Sequence, residues 1–272
     1  VRKKIKYPSQ YGGTFPTGGS MSNFMTLVAA RDKISNHRFD GESKKRLILY
    51  CSETAHYSIK KNVSFSGIGI NNIRSISVDN NGEMNCKELE KSIQIDLKNN
   101  LSPFYVNTTA GATVLGSFDH FDEISKICKK YNLWLHIDGA FGGSLIFSNK
   151  HNELLRGIEK SDSFCFNAHK TLGAPLSCSV LLFKNDQDLL RSFDTDANYL
   201  FQTHNDKYNL GKTSLECGRR NNALKFWTLW KSIGSVGLQN IVEKQLLISN
   251  KIKEYLSEKP EYKLIGPTYS LP

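Results

Sequence analysis

Apolar runs of strand length alternate with amphipathic helical stretches along most of this chain, and that alternation narrows the possible folds more than any other feature. Runs at 46–51, 75–78, 104–107, 134–137, 163–166 and 178–183 have the length and apolar content of strands covered on both faces. Helical periodicity fills the gaps at 22–35, 57–65, 86–97, 121–131 and 186–193. The 121–131 stretch carries it best, with Phe121, Ile124, Ile127 and Cys128 on one face. Its acids (Asp119, Asp122, Glu123) gather at the start and its lysines (Lys126, Lys129, Lys130) toward the end, as the helix macrodipole favours. The alternation implies an α/β fold with a mostly parallel sheet, in which ligands collect at the carboxyl ends of strands.

After about Arg191 the pattern changes. The polar segment 202–212 has few apolar anchors and predicts a mobile loop. Helical stretches follow at 221–232 and 238–257, and 262–265 reads as the start of a strand. This predicts a large domain over 1–235, then a linking helix and the start of a smaller C-terminal domain over 236–272. The chain lacks an initiator Met and stops just after a strand-like turn, so it is expected to be a piece of a longer protein.

A hydrophobic content of 39% with 23% charged residues is that of a globular protein able to bury a core. No uninterrupted apolar stretch is long enough for a bilayer, and the basic start is not followed by the apolar segment of a signal peptide. Six cysteines without CxxC spacing suggest reduced thiols rather than disulfides or a metal site, and with that a cytoplasmic protein. A net charge of +10 would suit a polyanion, but the basic residues are dispersed as solvated helix faces and no nucleic-acid motif accompanies them.

Four segments carry chemistry. Gly12-Gly13-Thr14-Phe15-Pro16-Thr17-Gly18-Gly19-Ser20-Met21-Ser22-Asn23 runs into a helix, and either turns and caps it or cradles a phosphate. Glu53-Thr54-Ala55-His56-Tyr57-Ser58 and Asn107-Thr108-Thr109-Ala110-Gly111 each follow a strand. Their His56 and Thr109 are turn residues or cofactor contacts. Asp138 ends the run Leu133-Trp134-Leu135-His136-Ile137 and is followed by small residues, Gly139, Ala140, Gly142 and Gly143, that leave room for something flat. It is an N-cap, or a buried carboxylate that pairs with a cation. Lys170, in Phe166-Asn167-Ala168-His169-Lys170-Thr171, follows the next strand and is an exposed cation or a nucleophilic amine. A carboxylate and an amine at neighbouring strand ends are what a pyridoxal phosphate site needs: the amine bonds the aldehyde, and the carboxylate keeps the ring nitrogen protonated.

Taken in order, GGSMSN, ETAHYSIKK, TTAGATVLGSFD, LWLHIDGAFGGS, FNAHKTLGAPLSCS, NYLFQ and LECGRRNNALKFW resemble the group II pyridoxal-phosphate decarboxylases, most closely the glutamate and cysteine sulfinate branch. The resemblance implies a fold-type I large domain with a seven-stranded, mostly parallel sheet flanked by helices. It implies Lys170 as the Schiff-base lysine, Asp138 as the partner of the pyridine nitrogen, His56 stacked on the ring and Ala140 on its other face. The Met21 amide, Ser22, Asn167 and His169 match positions near the phosphate, and Thr109 a position near the 3′-oxygen. Tyr208 matches the catalytic-loop tyrosine, with His56 the other candidate for returning a proton to Cα. Asn167-Ala168-His169-Lys170 stands where the family usually has NPHK, and Asp138-Gly139-Ala140-Phe141 where it usually has DAAW.

The implied reaction is α-decarboxylation of an acidic L-amino acid (cysteine sulfinate, glutamate or aspartate) by a homodimer with its active site at the subunit interface. The alternatives are a diaminobutyrate or aromatic amino acid decarboxylase, a lyase or aminotransferase on the same fold, or an inactive cofactor-binding or dimer-forming module.

Overall fold

The computed structural model describes residues 1–41, 44–195 and 209–267. Its centre is one seven-stranded sheet in the order β1-β7-β6-β5-β4-β2-β3. The strands are β1 (Gly12–Thr14), β2 (Leu47–Ser52), β3 (Ile73–Ile76), β4 (Ser102–Thr109), β5 (Trp134–Gly139), β6 (Ser163–Asn167) and β7 (Ser179–Phe183). From β3 through β6 every neighbouring pair is parallel, as the alternation predicts. β7 pairs antiparallel with β6 and β1 antiparallel with β7. A parallel return needs a crossover of a dozen or more residues, and the β6–β7 connection is shorter, so the chain doubles back.

Both faces of the sheet are covered, which explains why β2 and β7 are apolar at consecutive positions rather than at alternate ones. On one face Leu47, Leu49, Tyr105, Trp134 and Leu181 pack with Met25, Leu27 and Ala29 of the helix Gly19–Ile34 and with Ile59 and Val63 of the helix Ser58–Phe65. On the other, Ile48, Tyr50, Val106 and Leu135 meet Leu89 and Ile93 of Cys86–Lys98 and Ile124 and Ile127 of Phe121–Tyr131. That second layer continues beneath β5–β7, where Ile137, Phe164, Phe166 and Val180 pack with Phe226, Leu238 and Val242. The latter three lie on the helical stretch Asn222–Ser257, which is broken at Gly234 (φ 68°) into the two helices read from the sequence.

Three expectations are corrected. Gly12 and Gly13 form an edge strand rather than part of a loop. A Cβ on Gly12 would lie 2.8 Å from the Asp186 Cα, and one on Gly13 2.8 Å from Leu182 Cδ2, so this close approach requires glycine. The next helix starts three residues earlier than expected, at Gly19 rather than Ser22. The segment 262–265 is not a strand: it has no ladder partner, and Tyr262, Leu264 and Ile265 are exposed. Five cysteines are buried and unpaired, and Cys217 is exposed and unpaired.

Candidate active site

Three adjacent parallel strands end side by side, and the chain leaving them builds a cavity of about 230 Å³. Thr109 at the end of β4 lies directly opposite Asp138 near the end of β5. β6 ends at Asn167, and Lys170 follows on the single helical turn Ala168–Thr171. β2 leads through a loop to His56, and Gly19 and Ser20 begin the helix that crosses this face. Thr109, Asp138, Lys170, His56, Gly19, Ser20, Ala140 and Asn167 all line the cavity, with Asn23, Tyr57, Gly111, Thr113 and Phe141.

Asp138 is buried, yet both of its oxygens are held. Ala140 N–H donates to Oδ1 at 3.0 Å and Asn23 Nδ2 to Oδ2 at 2.7 Å. The Cys165 thiol approaches Oδ1 at 3.7 Å, and burial pushes that thiol far above its ordinary value, so it stays protonated beside the acid. Lys170 is exposed, and its ammonium makes no hydrogen bond or ion pair among the described residues. A buried acid and an unpartnered amine thus open onto one space.

His56 is half-buried, which lowers its pKa below the ordinary imidazole range. The Ser58 N–H can only donate, so its 3.2 Å contact makes His56 Nδ1 an acceptor, and Ser58 Oγ lies 2.8 Å from the same nitrogen. Neutral His56 therefore carries its proton on Nε2. His169 Nδ1 is held against the Cys178 backbone, 2.9 Å from both its nitrogen and its carbonyl oxygen.

The helix Gly19–Ile34 has no side-chain cap, and its first amides lie at the cavity. Beside them, Asn167 Oδ1 accepts from Ser179 Oγ at 2.7 Å, which leaves Nδ2 as the outward donor. A Cβ on Gly19 would sit 3.0 Å from the Ala140 Cβ and 3.2 Å from Asn167 Nδ2, so the helix end, Ala140 and Asn167 form a close cradle. Open amides at a helix start with an aligned amide donor fit a phosphate. Thr109 Oγ1, buried without a partner at the cavity wall, fits a polar ring substituent.

The cavity brings together Lys170, Asp138, His56, Thr109, Ala140 and Asn167. Ser22 is fully buried behind the wall, bonded to Gly18 O (3.1 Å) and Ser179 Oγ (3.0 Å). Met21 and His169 flank the cavity without lining it. Tyr208 lies outside the described residues. Sequence reading assigns no role to Asn23 or Tyr57, which also line the cavity. A buried asparagine inside the apolar stretch Met21–Leu27 is the available signal for Asn23, since asparagine is a poor interior helix residue.

Fold and site together define the pyridoxal-phosphate-binding class of α/β proteins: a mostly parallel sheet with acid, amine and anion cradle at its strand ends. The chain belongs to the pyridoxal-dependent decarboxylase family, whose conserved domain matches residues 2–269. It is 41% identical over 267 residues to the acidic amino acid decarboxylase GADL1 of Bos taurus and to that of Homo sapiens, covering 95% of this chain and 51% of each relative. Mouse CSAD superposes with a TM-score of 0.91 at 34% identity, over 98% of this chain and 57% of that one. Oryza sativa TDC, solved with PLP and tryptamine, gives 0.90 at 25% identity, over 98% of this chain and 58% of that one. The chain thus spans about half the length of the relatives it matches.

Proposed function

We propose that this chain supplies the cofactor site of a pyridoxal-phosphate-dependent decarboxylase that removes the α-carboxylate of an acidic L-amino acid as carbon dioxide. The observation that carries the reading is the pairing of a doubly hydrogen-bonded, buried Asp138 with a Lys170, unpartnered among the described residues, on the turn that follows the neighbouring strand. When bound, the cofactor supplies an electron-accepting ring. Lys170 provides the amine that tethers it, and Asp138 holds a proton at the ring nitrogen. The amides of Gly19 and Ser20 and the Nδ2 of Asn167 bind the phosphate, with Met21, Ser22 and His169 supporting that corner. Thr109 meets the ring's oxygen substituent, and His56 and Ala140 enclose the ring. His56 Nε2 carries a proton that can be returned to Cα, a role in which Tyr208 is the second candidate.

Acidic substrates are favoured by the likeness to the acidic amino acid decarboxylases GADL1. We further assign 1–235 to the cofactor-binding domain and 236–272 to a linking helix and the start of a smaller domain. The complete protein is read as a cytoplasmic homodimer acting on a small amino acid, with no nucleic-acid or membrane partner. Exposed Trp227, Val236 and Tyr255 on the C-terminal helical stretch support a covered surface there.

Two measurements on the complete protein test this. Lys170→Ala abolishes the visible absorption of the cofactor-loaded protein, and carboxyl-labelled glutamate, aspartate or cysteine sulfinate releases labelled carbon dioxide. An unchanged spectrum, or release from an aromatic amino acid or diaminobutyrate alone, overturns the assignment.

A further inference from the structure

Asn23 stands at the junction of a hydrogen-bond chain that runs from the floor of the sheet to Asp138. Trp134 Nε1–H donates to Ser163 Oγ at 2.9 Å, and an indole nitrogen has no other role available. Ser163 Oγ also lies 2.9 Å from His136 Nδ1. His136 is fully buried, and burial lowers its pKa to about 4, so the ring is neutral. Asn23 Nδ2 donates to the Asp138 carboxylate, so its Oδ1 faces His136 Nε2 at 3.0 Å and can only accept, which puts the proton of the neutral ring on Nε2. The Asn23 amide is thereby locked: reversed, it would set N–H against N–H and a carbonyl oxygen against a carboxylate. Its two Nδ2 protons go to Asp138 Oδ2 at 2.7 Å and to Ser58 Oγ at 3.4 Å, and Ser58 in turn holds His56.

We propose that Asn23 is a positioning residue for the cofactor, its amide held in one orientation by His136 so that it aims the Asp138 carboxylate into the cavity. This rests on the reading of Asp138 as the ring-nitrogen partner. A hydrogen bond donated to a carboxylate favours the charged form. The titratable groups on which Asp138 acts are Cys165, His136, His56 and Tyr105. Cys165 and Tyr105 stay protonated and His136 stays neutral, so Asn23 is the polar side chain that sets the acid's angle.

The test uses the complete protein, stripped of cofactor and titrated with pyridoxal phosphate. Asn23→Leu keeps the size and removes the hydrogen bonds to Asp138, Ser58 and His136. His136→Leu removes only the orienting donor, while His136→Gln places an amide N–H near the lost Nε2. Asn23→Leu and His136→Leu are expected to weaken cofactor binding about tenfold, the loss of one bond to a charged acceptor. They also move the pH midpoint of the bound cofactor's visible absorption by about one unit. His136→Gln is expected to retain both within about twofold. A merely structural role would lower the melting temperature without moving that midpoint. If Asn23→Leu does not fold, the His136 pair decides. An unmoved midpoint and affinity in Asn23→Leu, or in His136→Leu where that variant decides, overturns the proposal. Asp138→Asn separates the two ideas: if it too changes neither quantity, the reading of Asp138 has failed rather than the role of Asn23.

Discussion

The Asp119 carboxylate holds the backbone of Thr109, accepting its N–H at 2.7 Å, and takes the Met84 N–H at 2.8 Å with its other oxygen. The turn that presents Thr109 to the cavity is therefore fixed by an acid ten residues away in sequence. Asp119→Ala leaves two buried donors without a partner, which costs about 3 kcal/mol and lowers the melting temperature by roughly 5 °C or more. Calorimetry on the purified variant checks this; a change of about 1 °C would show that the turn holds itself.

The same group makes stability depend on pH. Burial outweighs its two hydrogen bonds and raises the Asp119 pKa to about 6. Because the folded chain then holds the proton more tightly than the unfolded one, stability falls as pH rises from about 4 to about 6 and is level above that. The size is about 3 kcal/mol, since each pH unit separating the folded from the unfolded pKa is worth ~1.4 kcal/mol. Asp119→Asn keeps an acceptor oxygen but removes this slope, which urea unfolding across the window would show.

His136 produces the opposite slope. Its pKa is depressed to about 4 against an unfolded value near 6.5. The folded chain resists the proton, so this contribution is complete above about 6.5 and is lost as pH falls toward about 4. It too amounts to about 3 kcal/mol, so the two groups nearly cancel between about pH 4 and 6. Their summed contribution is expected to be almost flat there. Asp119→Asn should expose the acid loss due to His136, and His136→Gln the rise toward acid due to Asp119. Parallel profiles for both variants would refute the pairing.

Much of this is legible in the chain, and the boundary has physical causes. Phe121–Tyr131 can be read to the residue because its period, charges and the left-handed Asn132 that ends it all agree. Strands buried on both faces announce themselves as unbroken apolar runs, and Asp138 and Lys170 stand where such strands end. β1 is hidden because three residues rich in glycine carry no strand pattern, only a packing requirement met by β7. The apolar pattern places β3 two residues late, since Arg74 and Ser75 dilute its signal. Asn23 and Asp119 are silent because their roles consist of partners 115 and 10 residues away. No local pattern contains those distances.

Gly139 marks a packing choice in this chain. A Cβ there would lie 2.7 Å from Cys165 O, 2.8 Å from Phe164 Cε2 and 2.9 Å from the Gly143 Cα. Gly139→Ala therefore forces strand β5 or the Phe164 ring to move, and is expected to cost about 1–3 kcal/mol. Phe164→Leu in the same chain frees one of the three contacts and should return part of that loss, giving a measurable coupling between the two sites. Strict additivity in a double-mutant cycle would show that the backbone, not the ring, sets the limit.

Ser179 reaches the cavity only through Asn167. Its hydroxyl donates to Asn167 Oδ1 at 2.7 Å, and Ser22 backs it from 3.0 Å. Without that donor the Asn167 amide is free to rotate and present its oxygen, rather than Nδ2, to the phosphate. Ser179→Ala is thus expected to weaken pyridoxal phosphate binding about fivefold, the worth of one ordinary hydrogen bond. Pyridoxal lacks the phosphate, so its weaker binding should be unaffected by the substitution. Equal losses for both ligands would place the effect in the ring pocket instead. An unchanged affinity for both would mean that Asn167 keeps its orientation without Ser179, through its N–H contact to Ala140 O at 3.2 Å and its place as the cap of the Lys170 turn.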